Sequence, residues 1–196
     1  MFTGLVAAVG TVRKSELTRG GRRLAIHAGR LKLADVAKGD SIAVDGVCLT
    51  VVARKGGSFE VDVSRETLSC TAGFSIGNRV NLEKAMRASD RLGGHFVSGH
   101  VDGVGTVMRV APEGGSRLMT LKAPAGLAKY IARKGSITVN GVSLTVNAVR
   151  MAEFTVNLIP HTLSATNLGE LRAGDPVNLE VDMLARYVER LNSRDP

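Results

Sequence analysis

Apolar and polar residues alternate along most of the chain, in short runs that are rich in β-branched residues. Clear examples are SIAVDG (41–46), CLTVVAR (48–54) and SFEVDVS (58–64). A period of two is typical of a strand with one buried face, and β-branched residues favour strands. Two patterns of helical type interrupt the strands, at 29–39 and 124–135, and each ends in a basic residue followed by Gly. The pattern therefore predicts an all-β chain with short helices.

The same pattern occurs twice, 95 positions apart. SIAVDGVCLTV (41–51) matches SITVNGVSLTV (136–146), and FEVDVSRETLSCT (59–71) matches FTVNLIPHTLSAT (154–166). An offset of 97 then aligns VNLE at 80–83 with VNLE at 177–180. Solenoid units run only about 20 to 50 residues, so a period this long indicates a duplicated domain in which each copy buries its own core.

Each copy is predicted to be a small closed barrel. About six short strands in roughly 90 residues favour a closed antiparallel barrel, because closure leaves no exposed sheet edge. Asp45-Gly46 and Asn140-Gly141 lie between two such runs, and Asx-Gly supplies the positive φ angles of a two-residue hairpin turn. We predict two tandem, internally duplicated antiparallel Greek-key β-barrels, at 1–95 and 96–182, and a C-terminal helix at 183–196.

The predicted C-terminal helix has one apolar stripe. Leu184, Tyr187, Val188 and Leu191 share a face at helical spacing, and Asp182 precedes the helix as a capping residue does. The stripe suits two interpretations equally, namely packing on its own barrel or contact with another subunit.

Composition narrows the class of protein. The net charge is +8, but the basic residues are scattered, aromatic residues are only 4% and Trp is absent, which favours a solvated basic surface over a nucleic-acid groove. Apolar runs are far shorter than the roughly 18 residues of a membrane span, and MFTGLVAAVG lacks the basic start of a signal peptide. We expect a cytoplasmic protein with neither membrane nor nucleic-acid partners, in which Cys48 and Cys70 remain thiols.

A few positions carry candidate chemistry. A Cys such as Cys48 is usually a small buried hydrophobe, but its match to Ser143 keeps a polar group at the same place. His95 and His100 lie in a glycine-containing linker, where glycines let the main chain approach a flat ligand. No third ligand lies at a recognisable spacing, so a metal site is disfavoured. His100 matches Leu5, and such a departure from symmetry lets the two copies take different roles.

Several motifs in register resemble the riboflavin synthase family of lumazine-binding two-barrel proteins. They are MFTGLV, GVCLTV, GVSLTV, GGHFVSGHVDGVGTV and IPHTL, and the likeness extends from Met1 to about Val188. The resemblance implies a cofactor-free dismutation of two 6,7-dimethyl-8-ribityllumazine molecules to riboflavin and 5-amino-6-ribitylaminouracil. It also implies a homotrimer joined by the C-terminal helix, which favours the subunit-contact interpretation, and it raises association with lumazine synthase as a further partner.

The resemblance also implies two substrate pockets, one for each lumazine. The first would use Gly4, Leu5, Val6, Cys48, Leu49, Thr50, Asp62, Val63, Ser64, Arg65, Glu66 and Thr67. The second would use Gly99, His100, Val101, Lys134, Ser143, Leu144, Thr145, Asn157, Leu158, Ile159, Pro160, His161 and Thr162. The working site would join the first barrel of one chain to the second barrel of a neighbour, with Phe2 close to the ligand.

Four side chains are candidates for catalysis. His100 is the candidate base for the lumazine 7-methyl proton, and Ser143 or Thr145 would hydrogen-bond the resulting anion. Cys48 is expected to orient the substrate, while Asp182 is expected to cap the helix. Three alternatives remain, namely a non-catalytic lumazine or flavin carrier, a nucleic-acid-binding barrel and a purely structural trimer.

Overall fold

Two closed antiparallel barrels of six strands each form the body of the computed structural model, which describes residues 1–193. The first barrel contains β1 (Ala8–Thr18), β2 (Gly21–His27), β3 (Ser41–Val44), β4 (Val47–Lys55), β5 (Ser58–Ser64) and β6 (Arg79–Lys84). The second contains β7 (Gly103–Glu113), β8 (Ser116–Lys122), β9 (Ser136–Val139), β10 (Val142–Arg150), β11 (Glu153–Leu158) and β12 (Pro176–Val181). The order around the first barrel is β1-β2-β5-β4-β3-β6, and the second repeats it, so the predicted fold class is confirmed.

Each barrel encloses its own hydrophobic core. Alternation along β5 places Phe59, Val61 and Val63 inside the first barrel, where they pack with residues of the other five strands. Phe154 and Val156 on β11 do the same in the second barrel. The strands fall within the predicted limits 1–95 and 96–182, although the limits themselves stay predictions. Residues 194–196 of the predicted C-terminal helix lie outside the described residues.

The short helices only partly follow the prediction. The helices are α1 (Arg65–Ser69), α2 (Pro160–Ala165) and α3 (Met183–Asn192), and two 3₁₀ turns span Ala125–Tyr130 and Asn167–Glu170. The prediction of a helix at 29–39 was wrong, because this segment is a series of turns. Its Leu31, Leu33 and Val36 are buried in the core of the first barrel. The segment begins at Gly29 and ends at Gly39, both in the left-handed region, which suits turns and not a helix interior.

Both predicted hairpin turns are confirmed, and they meet where the two barrels touch. Asp45 and Asn140 adopt φ angles of 46° and 47°, and each is followed by a Gly with positive φ. A Cβ atom on Gly46 would lie 2.8 Å from the nitrogen of Gly141, so the two turns pack back to back. Only glycine permits this close approach.

A network of polar side chains connects these turns across the contact between the barrels. Asp45 Oδ1 accepts from the Asn81 backbone N–H (2.7 Å) and from Asn167 Nδ2 (2.9 Å). In the matching place, Asn140 Oδ1 accepts from the Asn178 N–H (2.8 Å). Asn81 Nδ2 donates to the Asn140 carbonyl (2.9 Å), so each barrel satisfies polar groups of the other. Asp45 is the ionisable member of this network.

Asp45→Asn should remove a pH dependence of stability. Burial raises the pKa of Asp45 from 3.8 to about 7 in the folded chain, despite the two donors that oppose the shift. The contribution of Asp45 to the free energy of unfolding is therefore greatest below about pH 4 and declines until the pH passes about 7, by at most roughly 4 kcal/mol. The Asn variant should lose this decline, as measured by urea unfolding at pH 5 and pH 8.

Asn140→Asp is the matched control for that substitution. It places the same carboxyl on the equivalent turn, where Asn140 is 5% exposed, so stability should fall more steeply with pH than in the original chain. Parallel stability curves for the original chain and both variants would contradict the assignment of Asp45 as the responsible group.

Candidate functional site

A cavity of about 240 Å³ opens beside Cys48 on the outer side of the first barrel. Cys48 and Thr50 point outward from β4, whereas Leu49 between them faces the core. The Ser64 hydroxyl accepts from the Thr67 N–H (3.0 Å) and so caps α1. Glu66 and Thr67 of this helix line the cavity. The lining residues are Val47, Cys48, Glu66, Thr67, Cys70, Thr71, Gly99, His100 and Val101.

Part of this cavity comes from the other repeat. The Cys48 N–H donates to the Gly99 carbonyl at 2.8 Å, and Val101 packs against the core of the first barrel. In return, the Ser143 N–H of the second barrel donates to the Gly4 carbonyl at 2.8 Å, and Val6 packs against the second core. The sequence-based grouping of Gly4 with Cys48 and of Gly99 with Ser143 was therefore wrong, because the two segments exchange barrels.

Phe2 and Val97 form the crossing point of the two exchanged segments. Each donates its N–H to the carbonyl of the other, at 2.8 and 3.1 Å. Phe2 is fully buried, and a Cβ atom on Gly99 would lie 3.0 Å from its ring. Within this chain Phe2 packs beneath the cavity and is absent from its lining, which differs from the predicted ligand contact.

Two buried glutamates hold the exchanged segments in place. Glu83 on β6 accepts from the Thr3 N–H and hydroxyl (2.7 and 2.8 Å) and from the Gly4 N–H (3.0 Å). Glu180 on β12 accepts from the same three groups of Ser98 and Gly99, at 2.8, 2.6 and 3.0 Å. Burial raises the pKa of both carboxyls, and the donors oppose this shift. Sequence reasoning aligned these glutamates within VNLE but assigned them no role.

The second site is arranged around Ser143 and differs from the first. His95 Nδ1 lies 2.7 Å from Ser143 Oγ, and a Cβ atom on Gly94 would lie 3.2 Å from the same oxygen. The linker between the repeats thus passes over Ser143. Leu5 stands where the first site has His100, and it is half exposed.

His95 is a site residue that sequence reasoning placed in a ligand-approaching linker and disfavoured as a metal ligand, but did not include in either pocket. Its position minus 95 precedes Met1, so comparison of the repeats offers no counterpart that would single it out. Burial lowers the pKa of His95, and the negative charge of Asp182 opposes that shift. A neutral imidazole can share a hydrogen bond with the Ser143 hydroxyl as donor or as acceptor.

The remaining predicted residues follow the alternation of their strands. Leu144 and Leu158 face the second core, as Leu49 and Val63 face the first, so their side chains point away from the outer surface. The exposed or half-exposed members are Thr50, Asp62, Ser64, Arg65, Glu66, Thr67, Thr145, Asn157, Ile159, Pro160, His161 and Thr162. Asp62 pairs with Arg23 on the neighbouring strand at 2.7 Å, which lowers the pKa of its carboxyl.

Lys134 occupies a backbone position that favours glycine. Its φ is 67°, and its N–H donates to the Val146 carbonyl at 2.8 Å. The matching residue Gly39 has φ 97° and donates to Val51 in the same way. A left-handed lysine costs roughly 1 kcal/mol that the glycine of the first repeat avoids. This geometry holds the exposed Lys134 beside β10, the strand that carries Ser143 and Thr145.

Other features of the described residues do not compete with these two sites. A larger cavity of about 510 Å³ lies on the first barrel, and most of its lining residues are charged, among them the ion-paired Asp35, Lys84 and Arg87. Within 1–193, no cluster of three or more His, Cys, Asp or Glu side chains is arranged to hold a metal ion. No helix in this range is long and apolar enough to span a membrane.

Comparison with known proteins agrees with the duplicated site. The model of the lumazine binding domain matches the chain twice, at residues 3–85 and 98–182. The chain belongs to the lumazine-binding family. Each matched segment contains one of the two equivalent strand positions, Cys48 in the first and Ser143 in the second.

Curated relatives cover nearly the whole chain. The riboflavin synthase of Photobacterium phosphoreum is 47% identical over 195 residues, which span 97% of this chain and 88% of the relative. The riboflavin synthase of Mycobacterium tuberculosis is 46% identical over 197 residues, which span 97% of this chain and 98% of the relative.

Solved structures of the same fold contain flavin or lumazine. LumP complexed with riboflavin has a TM-score of 0.85 at 30% identity, and the match covers 92% of this chain and 99% of LumP. LumP complexed with 6,7-dimethyl-8-(1'-D-ribityl) lumazine has a TM-score of 0.82 at 29% identity, with the same coverage.

Gly99→Ala should destabilise the chain much more than Gly73→Ala. Both glycines have positive φ, 79° and 84°, so both substitutions carry the roughly 1 kcal/mol cost of a left-handed alanine. Only at Gly99 would the new Cβ collide, at 2.7 Å from Cys48 Cβ, whereas Gly73 has no atom within 4 Å. We expect losses of about 2–4 and about 1 kcal/mol in urea unfolding. Equal losses would show that the contact between Gly99 and Cys48 is not tight.

Proposed function

We propose that this chain is a riboflavin synthase, a transferase that converts two molecules of 6,7-dimethyl-8-ribityllumazine into riboflavin and 5-amino-6-ribitylaminouracil. The observation that carries the proposal is the presence of two related but unequal sites in one chain whose curated relatives are riboflavin synthases. A reaction between two identical molecules needs two similar pockets. The molecules play opposite roles, so it also needs the pockets to differ.

The proposed reaction transfers a four-carbon unit from one lumazine to the other. The two products together contain the same atoms as the two substrates, so the overall reaction needs no oxidant, reductant or cofactor. Holding two reactants in an attack geometry can supply roughly 7 to 11 kcal/mol of the barrier. Acid and base groups then need to contribute only about 10²- to 10⁴-fold.

The first pocket holds the groups suited to proton transfer. His100 is exposed at the cavity, and the cavity wall also includes Cys48 and Glu66. In the proposed mechanism His100 removes a proton from the 7-methyl group of a lumazine, and the negative charge spreads into the pteridine ring. Cys48 orients the substrate, because a hydroxyl stands in its place in the other repeat.

The second pocket holds groups suited to orienting a partner. The Ser143 hydroxyl is fixed by the 2.7 Å contact with His95, and Thr145 lies two residues further along the same outer face of β10. These hydroxyls would hydrogen-bond the anionic form of a bound lumazine. Asp182 caps α3, since its Oδ1 accepts from the Leu184 N–H at 3.0 Å, which favours capping over proton transfer as its role.

The proposal includes a homotrimer in the cytoplasm. The apolar stripe of α3 points away from its own barrel, with Leu184, Tyr187, Val188 and Leu191 between 58% and 86% exposed. The other side of α3 is held to the barrel by Tyr130, whose hydroxyl donates to Glu189 at 2.9 Å. A second subunit would cover the stripe. The working site would then join the first pocket of one chain to the second pocket of its neighbour.

A non-catalytic flavin or lumazine carrier is the second candidate. The observation in its favour is the likeness to LumP, which was solved with both kinds of ligand. Identity to the riboflavin synthases is higher, at 47% against 30%, and both sites retain their hydroxyl or thiol group and their Thr. Turnover distinguishes the two candidates directly.

Purified protein mixed with the lumazine alone should form riboflavin. Flavin absorbance should grow without added nucleotide or metal, and the rate should be the same after EDTA treatment. A carrier would change the fluorescence of the lumazine without making flavin, so lumazine binding without turnover would reject the proposed enzyme in favour of that alternative.

His100→Gln should reduce turnover more than Cys48→Ser. Gln keeps a polar side chain of similar reach but cannot exchange a proton near neutral pH, so kcat should fall by about 10²-fold or more. Cys48→Ser should lose only part of the rate, because the hydroxyl keeps the hydrogen bond but not the acidity of the thiol. Single-turnover kinetics measure both rates, and riboflavin titration checks that binding is retained. The opposite order of effects would contradict His100 as the base and give Cys48 more than an orienting role.

A further inference from the structure

Hydrogen bonds from the end of β12 and from α3 hold Ser98, Gly99 and His100, three successive residues beside the first pocket. Glu180 on β12 accepts from the Ser98 N–H, the Ser98 hydroxyl and the Gly99 N–H, at 2.8, 2.6 and 3.0 Å. Arg186 on α3 donates from Nη2 to the His100 carbonyl at 3.1 Å. The main chain on both sides of the His100 side chain is thus held by residues that lie six positions apart at the junction of β12 and α3.

Arg186 is itself held in place. Its Nη2 also donates to Asp102 Oδ2 at 2.8 Å, and the same oxygen accepts from the Val181 N–H at 2.8 Å. The Asp102 side chain is only 17% exposed, so this ion pair is shielded from water more than a surface pair would be. The Nε of Arg186 is buried and has no hydrogen-bond partner among the described residues. The guanidinium is therefore positioned for the His100 carbonyl and Asp102.

The first barrel has only half of this arrangement. Glu83 holds its exchanged segment with three hydrogen bonds at 2.7, 2.8 and 3.0 Å, as Glu180 does in the second barrel. At the offset of 97, the residue that matches Arg186 is Ser89, which is exposed and carries no charge. Leu5 occupies the place of His100. The chain thus has the additional cation, Arg186, at the segment that carries His100 and not at the segment that carries Leu5.

We propose that Glu180 and Arg186 are positioning residues that set the placement of His100 at the first pocket. They act through the main chain of residues 98–100 and do not touch the substrate themselves. The role in turnover rests on the proposed function, whereas the placement of His100 does not. The first pocket would then depend on the second barrel and on α3, the helix that we assign to subunit contact.

Glu180→Gln tests the proposal, with Glu83→Gln as the matched control. A Gln side chain has almost the same volume as Glu, but its amide places a donor opposite one of the N–H groups that donate to the carboxylate. Both variants lose equivalent hydrogen bonds, so thermal unfolding should report a similar loss of stability. Only Glu180→Gln should displace the NMR signals of the His100 ring at a fixed pH, which are identified by their absence in His100→Gln.

The turnover of Glu180→Gln should fall about tenfold or more, since small displacements of a reacting group are costly. Arg186→Lys should displace the His100 ring signals less, because the ammonium retains the charge near Asp102, whereas the shorter lysine side chain does not extend as far as Arg186 Nη2, the atom that donates to both acceptors. Arg186 is partly exposed, so this variant keeps the test available if Glu180→Gln does not fold.

Two results would overturn the proposal. One is an unchanged position of the His100 ring signals in both Glu180→Gln and Arg186→Lys, and the other is an equal displacement of these signals in Glu83→Gln. If the original chain makes no riboflavin, the proposed function fails, and the His100 ring signals still decide whether Glu180 and Arg186 place His100.

Discussion

The exchange of two short segments between the barrels is the constraint on which the rest of the structure depends. Gly4 and Val6 of the first repeat contact the second barrel, and Gly99 and Val101 of the second repeat contact the first. Each segment is also held by a glutamate of its own barrel, Glu83 or Glu180. Two equivalent hydrogen bonds fix the exchange, from the Cys48 N–H to Gly99 and from the Ser143 N–H to Gly4. Each barrel therefore has its own core, but neither site is complete without the other repeat.

The exchange determines how charge is buried in this basic chain. The acidic side chains among the buried described residues are Glu83 and Glu180, and each accepts three hydrogen bonds from an exchanged segment. A buried carboxylate without such donors would be costly, so segment and glutamate stabilise each other. The exposed ion pairs, such as Arg23 with Asp62, contribute little by comparison.

The two sites share a scaffold and differ in chemistry. The first combines His100 with Cys48, whereas the second combines Ser143 with His95, which approaches along the linker and has no counterpart in the first repeat. The same contrast appears where the barrels meet, because Asp45 is ionisable and Asn140 is not. Near-symmetry supplies two pockets of one shape, and these few departures from it allow the pockets to act differently.

The strands, the duplication and both hairpin turns could be predicted from the sequence, because alternation, repeated motifs and Asx-Gly pairs are local signals. The outward direction of Cys48, Thr50, Ser143 and Thr145 follows from the same period of two. The turns at 29–39 were mistaken for a helix because Lys38 followed by Gly39 resembles a helix end, although Leu31, Leu33 and Val36 do not share one helical face. Which segment lies beside Cys48 was decided only by the tertiary structure. Gly4 and Gly99 occupy matching positions in the two repeats, and either could pair with either strand. The crossing of Phe2 with Val97 and the hydrogen bonds to Glu83 and Glu180 make that choice, and such contacts between distant residues leave no periodic trace in the sequence.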